Sequence, residues 1–177
     1  MKTLYLFPTS FEAAPFRAQH PSATVVEIGV GMAAAAATTA RAIVEHKPQR
    51  VVLCGIAGAF DESIAVGEVV EVVSDRVAGL PASFDKIYSH PARTALRAVH
   101  SLTVSRTGDG VGVVTDSMPT IEQMEGASVA AVAEAFGVEY CHLRAISNRV
   151  SDERAAWRIG EAISALCSAL ETLFEEN

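Results

Sequence analysis

Lysine and arginine are scarce in this chain, 14 against 21 aspartates and glutamates in 177 residues, for a formal net charge of −7. A nucleic-acid surface needs clustered Lys and Arg to neutralise phosphates, and no such cluster occurs, so nucleic acid is excluded as a partner. Cysteine is scarce too. Cys54, Cys141 and Cys167 are odd in number and form no C-x-x-C pair, which does not fit a secreted disulfide framework. No apolar run approaches the ~20 residues that a membrane helix requires, and the opening MKTLYLFPTS is interrupted by Pro8 before it could serve as the apolar stretch of a signal peptide. No membrane partner is expected, and the expected location is the cytoplasm.

Three chemistries lack their residues. His20, His46, His90, His100 and His142 are scattered, none four residues from another, so no metal is expected. The glycine-rich GIAG at 55–58 carries no nucleophile of the G-x-S-x-G kind. GVGMAA at 29–34 fits G-x-G-x-x-A between a strand and a helix, but the following strand ends VVLCGIAG, without the acid that would hold a ribose. Its glycines and alanines then serve close packing of a helix on a sheet, and no cofactor is expected.

Apolar residues are plentiful, at 50% of the chain against 20% charged. One domain over residues 1–177 is expected, burying roughly 70% of the surface of its unfolded chain. Residues 2–7 and TVVEIGV at 24–30 read as strands buried on both faces. GMAAAAATTARAIVEHKP reads as a helix stopped by Pro48. RVVLCGIAGAF at 50–60 reads as a strand with a glycine turn, and GEVVEVVSDRV at 67–77 as another, giving a β-β-α-β-β first half. In the middle, PARTALRAVH predicts a helix, SLTVSRT a strand, and GDGVGVV a loop with a second short strand. Val129, Val132, Ala133 and Phe136 recur on one helical face with Gly137 as the stop, and EYCHLRAIS is a buried strand. The last helix takes Asp152 as its N-cap and buries a stripe of Ile159, Ile163, Leu166, Leu170 and Leu173. Strands alternating with helices imply an α/β sandwich around a mixed or mostly parallel sheet.

Ligands of such sheets bind beyond the carboxyl ends of the strands. Those ends carry PTSFEA, GVGM, GIAGAF and RAISNRVSD, and with the loop before the 129–136 helix they offer two isolated acids, Glu12 and Glu125, and a carboxamide, Asn148. Each has an ordinary reading as well: Glu125 as an acid complementing a helix dipole, Glu12 as a surface acid near an N-cap, Asn148 as a turn residue. Arg144, inside an apolar strand, reads as the structural partner of a carboxylate, with no chemistry assigned to it.

GVGMAAAAATTA, then GIAGAFDESIAVGEVV, then QMEGASVAAVAEAFGVEYCHLRAISNRVSD resemble the nucleoside phosphorylase and nucleosidase superfamily over most of the chain, in order, with the region between Arg76 and Ile121 shorter than is usual there. The resemblance implies a three-layer α/β sandwich with a central mixed, mostly parallel sheet, an enzyme that cleaves N-glycosidic bonds of nucleosides, and a homodimer or higher homo-oligomer. Phosphorylases of the superfamily's hexameric type carry an Arg where this chain has Leu53, and a second in the amino-terminal loop, here PTSFEAA. Leucine cannot neutralise phosphate and Glu12 would repel it, so water is the expected nucleophile and a purine nucleoside the expected small-molecule partner.

The resemblance also distributes roles. Glu125 would accept hydrogen bonds from ribose hydroxyls as an oxocarbenium-like sugar forms, with Met124 packed on the ribose, and Glu12 would position and deprotonate the water. Backbone at Ile56, Ala57 and Gly58 would border sugar and water. Gln123 and Ser147 join the substrate-binding set. So does Trp157, with a core position as its competing reading. At Asn148 the adenine-releasing members have Asp. An Asn donates to the 6-oxygen of hypoxanthine, which an ionised Asp cannot do, and RAISNRVSD with Trp157 resembles the hypoxanthine-releasing branch, the futalosine hydrolases. The alternatives are an adenine nucleosidase of the methylthioadenosine type, or a shortened nucleoside-binding protein without turnover.

Overall fold

The structure, a computed structural model, describes residues 1–112 and 118–175. Eight strands and four helices follow in the order β1 (Thr3–Phe7), α1 (Ser10–Gln19), β2 (Thr24–Glu27), α2 (Met32–His46), β3 (Arg50–Ala59), β4 (Val69–Val77), β5 (Tyr88–Ser89), β6 (Arg97–Thr103), β7 (Thr120–Gln123), α3 (Gly126–Phe136), β8 (Glu139–Arg149) and α4 (Ile159–Glu175). The sheet runs β2-β1-β3-β7-β6-β4-β5, and β8 pairs with both β3 and β4. That second pairing closes β3, β7, β6, β4 and β8 into a ring, so the mixed α/β fold is more barrel-like than the three-layer sandwich anticipated. The cause is strand length. β3 and β8, at 10 and 11 residues, run parallel along their whole length with a bulge at Ala57/Gly58, and β8 then offers its other edge, Leu143–Ala145, to Glu71–Val69 of β4.

Helices still cover both faces of the open half. On one face α1 and α4 bury Ala13, Phe16, Ile163, Leu166 and Leu170 against β1, β3 and β8. On the other, α2 and α3 bury Ala35, Ala42, Ile43, Val129 and Ala133 against Leu4, Leu6, Val51 and Leu53. The alanines of α2 let its axis approach sheet and neighbouring helix closely, as expected. Inside the ring lies a third cluster, with Ile64, Val70, Val99, Ile121 and Ile146.

Several elements differ from the sequence reading. α1 was not anticipated, because Pro15 falls inside it and breaks the expected pattern. Thr9 nevertheless caps it, its Oγ1 accepting from the Glu12 amide at 3.3 Å. The GIAG stretch is no turn: β3 continues through it. Residues 91–100 form no helix and lead instead into β6, while β5 and β7 went unread. The part of the second short strand expected at 113–114 lies outside the described residues. Asp152 is not the N-cap of α4. Its carboxylate accepts from the Arg149 amide at 2.7 Å, closing the turn after β8, and a 3-10 turn, Arg154–Ala156, intervenes. Phe136 is 46% exposed, off the buried face of α3.

Candidate active site

A cavity of about 460 Å³ opens at the carboxyl ends of β1, β3 and β8, within the usual size of small-ligand sites. The sheet splits here. β3 pairs with β1 as far as Leu53 and with β7 only from Gly58 onward. In the gap, the peptide groups of Ile56 are satisfied by side chains: its N–H donates to Glu12 Oε1 at 3.1 Å, and its carbonyl accepts from Arg144 Nη1 at 3.0 Å. Gly55 is required beside it, since a Cβ there would fall 2.5 Å from Arg144 Nη1 and 3.1 Å from Glu12 Oε1.

The first turn of α1 fixes Glu12, 5% exposed. Thr9 Oγ1 donates to its Oε2 at 2.6 Å, so cap and acid hold each other in a variant of the capping box. Glu125, 3% exposed, sits just before α3 and spans two elements. Oε1 accepts from the Gly31 amide at 3.0 Å, and Oε2 from Arg144 Nη2 at 3.1 Å. The Gly31 amide of the GVGM stretch is thus taken up by this carboxylate. Gly126 is required by what lies beneath it. A Cβ on it would collide with Asp75 Oδ2 and His142 Cε1 beneath the helix.

Every residue of the expected site except Asn148 lines the cavity: Glu12, Ile56, Ala57, Gly58, Gln123, Met124, Glu125, Ser147 and Trp157. Trp157 is half-buried at its wall, with the Arg154 guanidinium 4.2 Å above its ring. Asn148 is 1% exposed. Its Nδ2 donates to the Arg149 carbonyl at 2.6 Å and its Oδ1 accepts from Ser147 Oγ at 2.7 Å. The carboxamide therefore lies behind Gly58, whose Cβ, if present, would be 3.0 Å from Nδ2. Leu53 belongs to the core beside Leu4 and Leu6.

Arg144 is what the sequence reading undervalued. At 1% exposure it is the largest fully buried side chain, and it lines the cavity. It does pair with a carboxylate, as expected, but that carboxylate is Glu125. The signal was an arginine inside a strand buried on both faces, where arginine is rarely found unless paired. Glu122 was also missed. Its carboxylate accepts from the amides of Gly108 at 2.6 Å and Gly110 at 3.4 Å, anchoring the loop that brings Thr107 to the cavity wall. Burial pushes its pKa up, with those two amides pulling the other way.

The split sheet, the paired acids and the buried arginine define a recognisable class. The chain belongs to the phosphorylase superfamily, whose family model matches residues 10–94. Within that class it is 35% identical to a futalosine hydrolase of Streptomyces coelicolor, over 82% of this chain and 75% of the relative. To the futalosine hydrolase of Thermus thermophilus it is 29% identical, over 98% and 96% of the two chains, in an alignment of 216 positions. That alignment is longer than the chain itself, so it contains gaps. The fold superposes on a Helicobacter pylori futalosine hydrolase mutant with a TM-score of 0.89, at 16% identity over the whole of both chains. With a methylthioadenosine/S-adenosylhomocysteine nucleosidase of the same organism the TM-score is 0.88, at 16% identity over 100% of this chain and 99% of that one.

Proposed function

We propose that the chain is an N-ribosyl hydrolase that cleaves the glycosidic bond of a purine nucleoside with water, and that this nucleoside is futalosine, from which it releases hypoxanthine on the way to menaquinone. One observation carries the reading. Glu12 and Arg144 meet on the Ile56 backbone, and Arg144 pairs with Glu125, at the wall of a nucleoside-sized cavity, in a chain 35% identical to a futalosine hydrolase. Departure of the base leaves positive charge on the sugar. Glu125 accepts from ribose hydroxyls and stabilises that charge, Met124 packs on the ribose, and Glu12 takes the proton of the attacking water. Arg144 holds the Glu125 carboxylate in place. Asn148 turns from the Arg149 carbonyl towards the base, donating to its 6-oxygen. The enzyme acts in the cytoplasm as one domain and as a homo-oligomer. The exposed apolar side chains of Phe11 and Val30 at the cavity mouth favour self-association.

Incubation with futalosine, inosine and methylthioadenosine, followed by chromatography of the free base, is the test. Hypoxanthine released from futalosine, independently of phosphate, is the expected result. Adenine from methylthioadenosine would favour the adenine nucleosidase reading, which rests on 26% identity to a Shewanella nucleosidase of that name over 73% of this chain. Nucleoside binding without any free base would leave a binding protein. In the active case Glu125→Gln keeps the fold and loses turnover by about 10²-fold or more. Full activity in that variant would remove Glu125 from the mechanism.

A further inference from the structure

Beneath the cavity, and reaching its wall at Gln123, lies a buried polar cluster to which the proposed chemistry assigns no step: Asp75 on β4, Ser101 and Thr103 on β6, Gln123 on β7, and His142 on β8, each no more than 5% exposed. Arg144 links it to the site. Besides Glu125 and Ile56, the guanidinium reaches Gln123 Oε1 through Nη2 at 3.2 Å and His142 Nε2 through Nε at 2.8 Å. Arginine has donors only. The ring nitrogen that it meets must therefore present a lone pair, and the single proton of a neutral imidazole must be on Nδ1. That atom is fully buried and has no hydrogen-bond partner. It faces Asp75 Oδ2 at 3.9 Å. Burial and the Arg144 charge both oppose protonation of the ring, so His142 remains the acceptor that Arg144 needs.

Asp75 reaches Glu125 by two routes. Along one, Gln123 Nε2 donates to Asp75 Oδ2 at 2.9 Å, while Gln123 Oε1 accepts from the amides of Glu125 and Gly126 at 2.8 and 2.6 Å. This fixes the backbone of Glu125. Along the other, His142 and Arg144 fix its carboxylate. Thr103 Oγ1, donating to Asp75 Oδ1 at 3.0 Å, holds the far end in place.

We propose that His142, held in its Nδ1–H tautomer and backed by Asp75, is a positioning residue that sets the Arg144 guanidinium and through it the Glu125 carboxylate. The kinetic part rests on the nucleosidase reading; the tautomer does not. Long-range ¹H–¹⁵N correlation spectra of the uniformly labelled protein, with the His142 signals identified by their loss in His142→Gln, are expected to show a protonated Nδ1 and an unprotonated Nε2. An Nε2–H tautomer or an imidazolium would overturn the proposal, whether or not the protein turns over any nucleoside. In the enzyme, His142→Leu leaves Arg144 Nε without an acceptor. Its kcat should fall roughly 10- to 100-fold, as for a misplaced catalytic group, with KM within about threefold of the parent. His142→Gln, whose side-chain carbonyl can accept, should recover most of that loss. Asp75→Asn, the milder change should His142→Leu not fold, should lower kcat several-fold at unchanged KM. An unchanged kcat in both His142→Leu and Asp75→Asn, or in Asp75→Asn alone where the other does not fold, would reduce the cluster to packing.

Discussion

Asn148 concentrates the question of base choice in one carboxamide. An ionised aspartate at that position can accept from a 6-amino group but cannot donate to a 6-oxygen. Asn148→Asp should therefore move the ratio of kcat/KM for futalosine against methylthioadenosine towards the adenine nucleoside. The shift should be roughly 10- to 100-fold, the equivalent of 1–3 kcal/mol for a buried polar group left without its partner. Steady-state rates with both nucleosides measure it, and an unchanged ratio would take Asn148 out of base recognition, in keeping with its bonds to Ser147 and Arg149. Glu12 and Glu125 were legible in the sequence because each is an isolated acid beside apolar residues at a strand or helix end. Arg144 was legible only as one half of a pair, because its partner Glu125 lies 19 residues away on another element and no local spacing announces it. The reason for glycine at 126 was not legible. The atoms it makes room for, on Asp75 and His142, come from β4 and β8.

At the scale of elements, the geometry of the candidate site depends on helix ends. Thr9 both caps α1 and donates to Glu12, so Thr9→Ala removes a cap and a partner of the acid together. It should cost about 1 kcal/mol of stability, as cap deletions do, and should lower kcat more than that loss of folded protein explains, since Glu12 keeps only the Ile56 amide. Thermal unfolding and kcat of the same preparation separate the two effects; a kcat that follows the folded fraction would make Thr9 a cap and nothing more. The TSFE stretch that forms this end has the residue types of a capping box, but Pro15 interrupts the helical pattern that follows it. α2, α3, α4 and β8 were legible because their apolar patterns largely match what they bury, Phe136 of α3 being the exception. β6 was legible only in its second half, where SLT of the expected strand falls: LRAVH before it carries a helix-like mixture of residues, and pairing with β4 and β7 overrides it. The ring closure was hidden for the same reason. It arises from which edges of β8 meet β3 and β4, a pairing between segments far apart in the chain.

For the molecule as a whole, the buried pair Asp75 and His142 should govern how stability responds to pH. Burial, opposed by the Thr103 hydrogen bond and the Arg144 charge, raises the Asp75 carboxyl from 3.8 to about 7, while burial and Arg144 push His142 well below 6.5. Stability changes with pH as the difference in protons bound by the unfolded and folded chains, 1.36 kcal/mol per pH unit for one proton. Between about pH 4 and pH 7 the folded chain holds a proton on Asp75 that the unfolded chain has lost, so this group alone makes stability fall as pH rises. Below pH 6.5 and above its own folded value, His142 acts in the opposite sense, because the unfolded chain is protonated there and the folded ring is not. Over the shared window each state holds one proton on the pair, and the two slopes cancel. Glu122, raised by burial, and His90, lowered by burial, oppose one another in the same way. Asp75→Asn keeps the shape of the carboxyl but removes its titration and leaves the His142 slope uncompensated. Relative to the parent, the variant should therefore lose stability on acidification from about pH 6.5 to about pH 5, by roughly 1.4 kcal/mol per unit. Urea unfolding at pH steps across that range, with equal m-values, measures the difference directly. Parallel profiles for variant and parent would mean that Asp75 is already ionised at acid pH in the folded protein, and that the Arg144 charge rather than burial decides its state.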